Sequence, residues 1–172
     1  MKRTMEKIMV MIAVLALLVI SSCASVGAPA TEEESRAQQV FDFEEKDKGH
    51  LYDLSNRWFV ESFGDATAVI EYSNKESGTI MGKYTYNTSM VGPLAMSVYD
   101  WMEVTIQLEL RDERARMTIL NPRIRNNPTS ASGSINWSTP TRSQLDQADY
   151  QQHTQRMFIS YEAYINQTQG DW

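Results

Sequence analysis

The sequence predicts a single α+β domain: a curved antiparallel sheet of about five strands with two helices packed on one face. Three observations predict it. Met102, Val104, Ile106, Leu108 and Leu110 alternate with Glu103, Thr105, Gln107 and Glu109, the period-2 pattern of a strand with one buried and one solvated face. Leu51, Leu54, Trp58, Phe59 and Phe63 recur at helical spacing, giving one apolar stripe. Tyr150, Met157, Phe158, Tyr161, Tyr164 and Ile165 draw a second such stripe near the end of the chain.

Taken in order, Val40-Phe41-Asp42-Phe43-Glu44 is aromatic and β-branched and predicts the first strand. Asp47 is placed to cap the helix that follows, and Gly64 suits its C-terminal end. Ala68 to Tyr72 predicts a strand, Asn74 to Gly78 a turn, and Thr79 to Tyr86 a return strand. Along that return strand Ile80, Gly82, Tyr84 and Tyr86 share one face and Met81, Lys83 and Thr85 the other, and the pattern leaves open which is core. Thr88 to Tyr99 contains Gly92-Pro93 and predicts a loop. After the Met102–Leu110 strand, Arg111-Asp112-Glu113-Arg114 makes a turn. Ala115, Met117 and Ile119 alternate with Arg116 and Thr118 on the way back. Pro122 is expected to end pairing or confine that stretch to an edge. Asn126 to Thr139 predicts loop, and a helix is expected from Arg142 to about Asn166. The resulting order is β-α-β-β-β-β-α.

Ahead of the domain lies a different kind of sequence. Lys2, Arg3 and Lys7 precede an apolar run of 13 residues, Ile8 to Ile20. A basic start, an apolar run and small residues after it describe a secretory signal peptide. A membrane-spanning helix needs about 20 apolar residues, so the run is short for a permanent anchor. Ile20-Ser21-Ser22-Cys23 resembles the lipobox of bacterial lipoproteins. The resemblance implies cleavage before Cys23 and lipidation of its thiol and amino group. One acyl chain holds a protein marginally, and two or more hold it stably. Cys23 is the single cysteine, so no intramolecular disulfide can form. The expected organisation is a signal peptide over 1–22, a lipidated cysteine with a flexible acidic tether over 23–39, and the domain over 40–168. Ala24 follows Cys23. The absence of an aspartate there points to the outer membrane, facing the periplasm.

Charge narrows the partners. The chain holds 16 basic and 22 acidic residues. Loss of the leader takes Lys2, Arg3, Lys7 and Glu6, leaving 13 basic against 21 acidic. Nucleic acid requires a basic face that neutralises phosphates, and anionic lipid headgroups select the same sign. The chain is expected to bind neither; its contact with the membrane is the lipid anchor.

Asn56-Arg57-Trp58-Phe59, then Val69-Ile70, then Gly78-Thr79-Ile80-Met81-Gly82-Lys83 are similar to motifs of the DUF4468 family. The resemblance covers roughly Val40 to Ile124. It implies a fold like that of the TATA-binding protein and an exported, lipid-anchored protein. It implies no activity, since the family is named for its unknown function, and no DNA binding, since fold does not imply function.

A search for catalytic chemistry returns little. His50 and His153 lie far apart in sequence, in no metal-ligand spacing. No nucleophile elbow, phosphate loop or dinucleotide fingerprint occurs. Asp42 and Glu44 share a strand face, which suits solvated carboxylates better than a pair held across a cleft. The expectation is therefore no enzyme, no catalytic residue, no metal and no cofactor. Arg57, beside Trp58, reads first as a helix-flank arginine with its stem packed, and second as a guanidinium held for an anion. Tyr84, Tyr86 and Trp101 read first as sheet packing, and second as the lining of a groove. Arg57, Tyr84, Tyr86 and Trp101 are thus the candidate contact residues. The functional expectation is a non-catalytic binding module of the cell envelope, for an envelope protein or a small apolar ligand between helices and sheet. The alternative is a structural or assembly subunit that uses its sheet face or edge.

Overall fold

A computed structural model describes residues 27–63, 68–91, 97–126 and 136–167. The leader, Cys23, Gly64, Gly92 and Pro93 lie outside the described residues. The elements in chain order are α1 (Glu32–Ser35), β1 (Ala37–Asp42), α2 (Lys48–Ser62), β2 (Ala68–Asn74) and β3 (Thr79–Val91). They continue with β4 (Ser97–Arg111), β5 (Arg114–Asn126), β6 (Asn136–Ser138), α3 (Arg142–Gln147) and α4 (Tyr150–Gln167).

The fold is α+β, and its antiparallel sheet has six strands rather than five, in the order β1-β5-β4-β3-β2, with β6 also on β5. β1 pairs with the first half of β5 and β6 with its last three residues. Between them, α1 and the segment before it cover the outer edge of β5. Pro29 bridges Thr141, and Ala30 N donates to Pro140 O at 2.9 Å. Thr31 and Thr141 each form a capping box, with Glu34 and Gln144, so the side chains close the first turns. Tyr150 Oη donates to Ser35 O at 2.5 Å. Residues that the sequence reads as tether therefore belong to the domain, and the first strand begins at Ala37 instead of Val40.

The alternation in β4 is realised on its core face, while on the other Glu103, Gln107 and Glu109 are half-buried and Thr105 is buried. Met102, Val104, Ile106 and Leu108 are fully buried and Leu110 nearly so. β3 turns Ile80, Gly82 and Tyr86 to the same side, which settles its core face. α2 starts at Asp47, whose carboxylate accepts from His50 N, and buries Leu51, Leu54, Ser55, Trp58 and Phe59. The two long helices meet over the sheet around Tyr161. Its ring stands edge-on to Trp58 at 5.1 Å and to Phe41 at 5.2 Å. Its hydroxyl shares a 2.8 Å hydrogen bond with Ser55 Oγ. Burial of such rings supplies most of the stabilisation of the helix layer.

Three expected boundaries change. The Thr88–Tyr99 loop shortens, because β3 runs to Val91 and β4 starts at Ser97. The last helix is two, broken at Ala148–Asp149, where Asp149 takes φ +50°, a left-handed conformation that aspartate tolerates. β5 continues through Pro122. At that point two residues, Asn121 and Pro122, face one, Val104. Asn121 has φ +53°. This is a β-bulge, and the proline's missing N–H falls where the ladder is already interrupted.

Candidate functional site

The sheet has one face under the two long helices and one bare of them, though Thr105 and Thr118 on that second face are buried and α1 borders it. On the helix side, aromatic rings continue from α2 along β3 to α4. Phe63 lies 4.5 Å from Tyr84, Tyr84 stacks on Tyr86 at 5.6 Å, and Tyr86 stacks on His153 at 4.0 Å. Tyr86 Oη donates to Met102 Sδ at 2.9 Å. Burial raises the phenol pKa of Tyr86, with the neighbouring Tyr150, Tyr84 and Asp149 adding to it. Burial also raises that of Tyr84. These tyrosines stay neutral and act as packing. His153 is pushed below the usual imidazole range by burial and then by Arg156, with Asp149 opposing.

The four candidate contact residues are not brought together. Tyr84 and Tyr86 belong to the ring series under the helices. Arg57 is exposed on the flank of α2, close enough to Tyr164 of α4 to act on its hydroxyl. Trp101 lies on the opposite, bare face of the sheet, because its neighbour Met102 points to the core and strand side chains alternate.

The bare face is charged and polar. Lys83–Glu71 at 2.9 Å, Arg114–Asp42 at 2.8 Å and Arg116–Glu109 at 2.6 Å are ion pairs on it. Such exposed pairs contribute at most about 1 kcal/mol each. At one end of this face the register places Asn87, Trp101, Arg125 and Trp137 side by side on four adjacent strands. The Arg125 guanidinium lies over the Trp101 ring, 5.5 Å from its centre. Arg125 Nε is buried without a hydrogen-bond partner. One row further in, Lys83, Glu103, Thr105, Asn121 and Arg123 line a cleft of about 500 Å³ beside α1. Sequence reasoning missed Arg125 and Trp137. The first lies beyond a proline and the second within a stretch rich in Asn, Pro and Ser. The alternation Arg123-Ile124-Arg125 was the signal available.

A second cleft, of about 480 Å³, runs along the rim between β1 and the last two helices, lined by Glu34, Arg36, Arg142, Asp146, Tyr150 and Phe158 among others. Among the described residues, no group of three or more His, Cys, Asp or Glu stands close enough to hold a metal ion. No described helix is long and apolar enough to cross a membrane.

Comparison with known proteins agrees with this architecture. A solved DUF4468 family protein from Bacteroides ovatus ATCC 8483 is similar over 81% of this chain and 91% of its own, with a TM-score of 0.56 at 12% identity. A TBP-like protein from Parabacteroides distasonis ATCC 8503 is similar over 80% of this chain and 97% of its own, with a TM-score of 0.59 at 12% identity. At such identity the likeness speaks for the fold alone. No curated protein matches the chain. The model of the domain of unknown function DUF4468, with TBP-like fold, matches residues 38–125, more than half of the sequence, and the chain belongs to that family.

Proposed function

We propose that this protein is a lipid-anchored bacterial lipoprotein of the cell envelope, and that its domain is a non-catalytic binding module working through the bare face of its sheet. The address rests on the basic start, the 13-residue apolar run and Ile20-Ser21-Ser22-Cys23. The lack of an aspartate after Cys23 favours the outer membrane, facing the periplasm. Pro29 is already bridged to Thr141. Five residues separate it from Cys23, a reach of at most about 22 Å. A lipidated Cys23 therefore holds the domain close to the bilayer surface.

The single observation that carries the binding reading is the sheet itself. Both long helices cover one face, and the other presents Arg111, Arg114, Arg116, Arg123, Arg125 and Lys83 against Asp42, Glu71, Glu103 and Glu109. Glu44, Asp112 and Glu113 border its turn end and Glu32 its cleft, and Lys83, Arg114 and Arg116 are paired with carboxylates. Arg125 has no carboxylate partner among the described residues, and its charge favours an anionic partner. The space between helices and sheet is filled by Trp58, Phe59, Tyr161 and their neighbours, which favours a partner on the bare face over a small apolar ligand within.

Metabolic labelling with a fatty-acid analogue tests the address. The wild-type chain takes up label and sediments with membranes, and Cys23→Ala does neither. Label retained in Cys23→Ala sinks the lipoprotein reading. The assembly-subunit reading is favoured by a different observation. Among the described residues β2 ends the sheet and pairs no strand on its outer side, an edge that suits another strand. Crosslinking in intact cells that recovers only monomer counts against it.

A further inference from the structure

We propose that the Trp101–Arg125–Trp137 row is a binding site for an acidic polysaccharide, its sugar rings lying on the two indoles and an anionic substituent meeting Arg125. The proposal rests on the reading of the domain as a binding module and names the ligand class of its bare face.

Register fixes the arrangement. Trp101 faces Arg125, and Arg125 faces Trp137. Antiparallel partners project to the same side, so Arg125 stands between Trp101 and Trp137 on that face, with its guanidinium over the Trp101 ring. Neighbouring strands are about 4.8 Å apart, which sets the tryptophan backbones about 10 Å from one another across the arginine. Among the described residues no carboxylate pairs with Arg125. The ion pairs on this face, among the described residues, are Lys83–Glu71, Arg114–Asp42 and Arg116–Glu109. Arg125 Nε is buried and has no acceptor, and buried donors are nearly always satisfied. An anion on the outer guanidinium nitrogens would give Arg125 the charge-assisted partner that no described carboxylate supplies.

The surroundings favour a glycan over an acidic peptide. Interfaces with protein segments bury an apolar core, or pair backbone at a sheet edge. This row is on a face, and its neighbours are Asn87, Thr85, Glu103, Arg123 and Thr105. The adjoining cleft of about 500 Å³ is walled by Thr105, Asn121, Thr139, Lys83, Glu103 and Arg123. Hydroxyls, amides and charges beside flat indoles suit the hydroxyl edges and C–H faces of sugars. In the cleft Glu32 and Glu103 balance Lys83 and Arg123, and Lys83 is also paired with Glu71. It is therefore the guanidinium of Arg125, with no carboxylate partner among the described residues, that selects an acidic glycan over a neutral one.

The test uses the full-length chain in a non-ionic detergent, electrophoresed through native gels containing polygalacturonate, chondroitin sulfate, dextran or poly-glutamate. Retardation by at least one acidic polysaccharide, and by neither dextran nor poly-glutamate, is the expected result. Arg125→Gln removes a charged hydrogen bond and should weaken retardation about tenfold. Trp137→Ala should weaken it too, and Arg156→Gln, an equal charge change at an exposed position of α4 on the helix side, should leave it unchanged. Circular dichroism confirms that each variant is folded. Should Arg125→Gln disturb the fold, Trp137→Ala carries the test, since β6 is a short strand at the margin of the sheet. Three results overturn the proposal: no retardation by either acidic polysaccharide, equal retardation by dextran or poly-glutamate, or full binding by the folded variants. None of the three touches the labelling of Cys23, so failure of this site and failure of the anchor are separately visible.

Discussion

Gly78→Ala should be among the most damaging single-methyl additions in the domain, and two independent costs can be worked out. Gly78 closes the turn between β2 and β3 with φ +67°, where an L side chain costs about 1–2 kcal/mol. A Cβ built there would stand 2.4 Å from the backbone oxygen of Leu110 and 3.1 Å from Lys48 Cδ. The lysine can swing aside, but the carbonyl belongs to the end of β4. Relief therefore requires the turn to lift off β4, which breaks the 2.7 Å bond from Leu110 N to Gly78 O. Leu110 is 2% exposed, and an orphaned buried group costs about 1–3 kcal/mol. The two together give about 3 kcal/mol, a large part of the stability of an ordinary domain, and lower Tm by about 6–12 °C. Guanidinium denaturation of the purified chain should show a reduced midpoint with an unchanged slope. Gly78→Asn separates the costs, since asparagine accepts positive φ more readily yet carries the same Cβ. It should lie between wild type and Gly78→Ala. A Gly78→Ala variant within about 1 kcal/mol of wild type would refute the reasoning, because the close approach to Leu110 could then not exist.

Two further predictions follow from buried polar groups on the helix side. Tyr161→Phe leaves Ser55 Oγ without its 2.8 Å partner at a fully buried site, and should cost about 1–3 kcal/mol. Adding Ser55→Ala should return part of that in a double-mutant cycle, and strictly additive losses would show that the bond is not made. His153 has a folded-state pKa lowered by burial and by Arg156, so the unfolded chain binds its proton more readily. Its contribution makes stability fall as pH drops through the ordinary histidine range and level off below the lowered value. His153→Phe, which keeps a ring against Tyr86, should reduce the slope of stability between about pH 5 and about pH 8; an identical slope in both proteins would exclude the assignment.

What could be read from the sequence was whatever repeats along one element. The β4 alternation and the α2 stripe each place several large side chains at a fixed period, and the core follows them. β6 was hidden because three residues, Asn136–Ser138, carry no period. The break before α4 was hidden because neither glycine nor proline marks it; Asp149 adopts the left-handed turn instead. The Arg125 row was hidden for a deeper reason. In β5, Ala115, Met117 and Ile119 are core residues, and continued alternation would send residue 125 to the core as well. The bulge at Asn121–Pro122 shifts the phase by one, so that Ile124 is buried and Arg123 and Arg125 emerge on the bare face. Pro122, which from sequence looks like the end of a strand, is thus part of the feature that turns an arginine outward between two tryptophans. Only the pairing of β4, β5 and β6 makes that row. A site of this kind has no local signature, and the bulge is the element on which its existence depends.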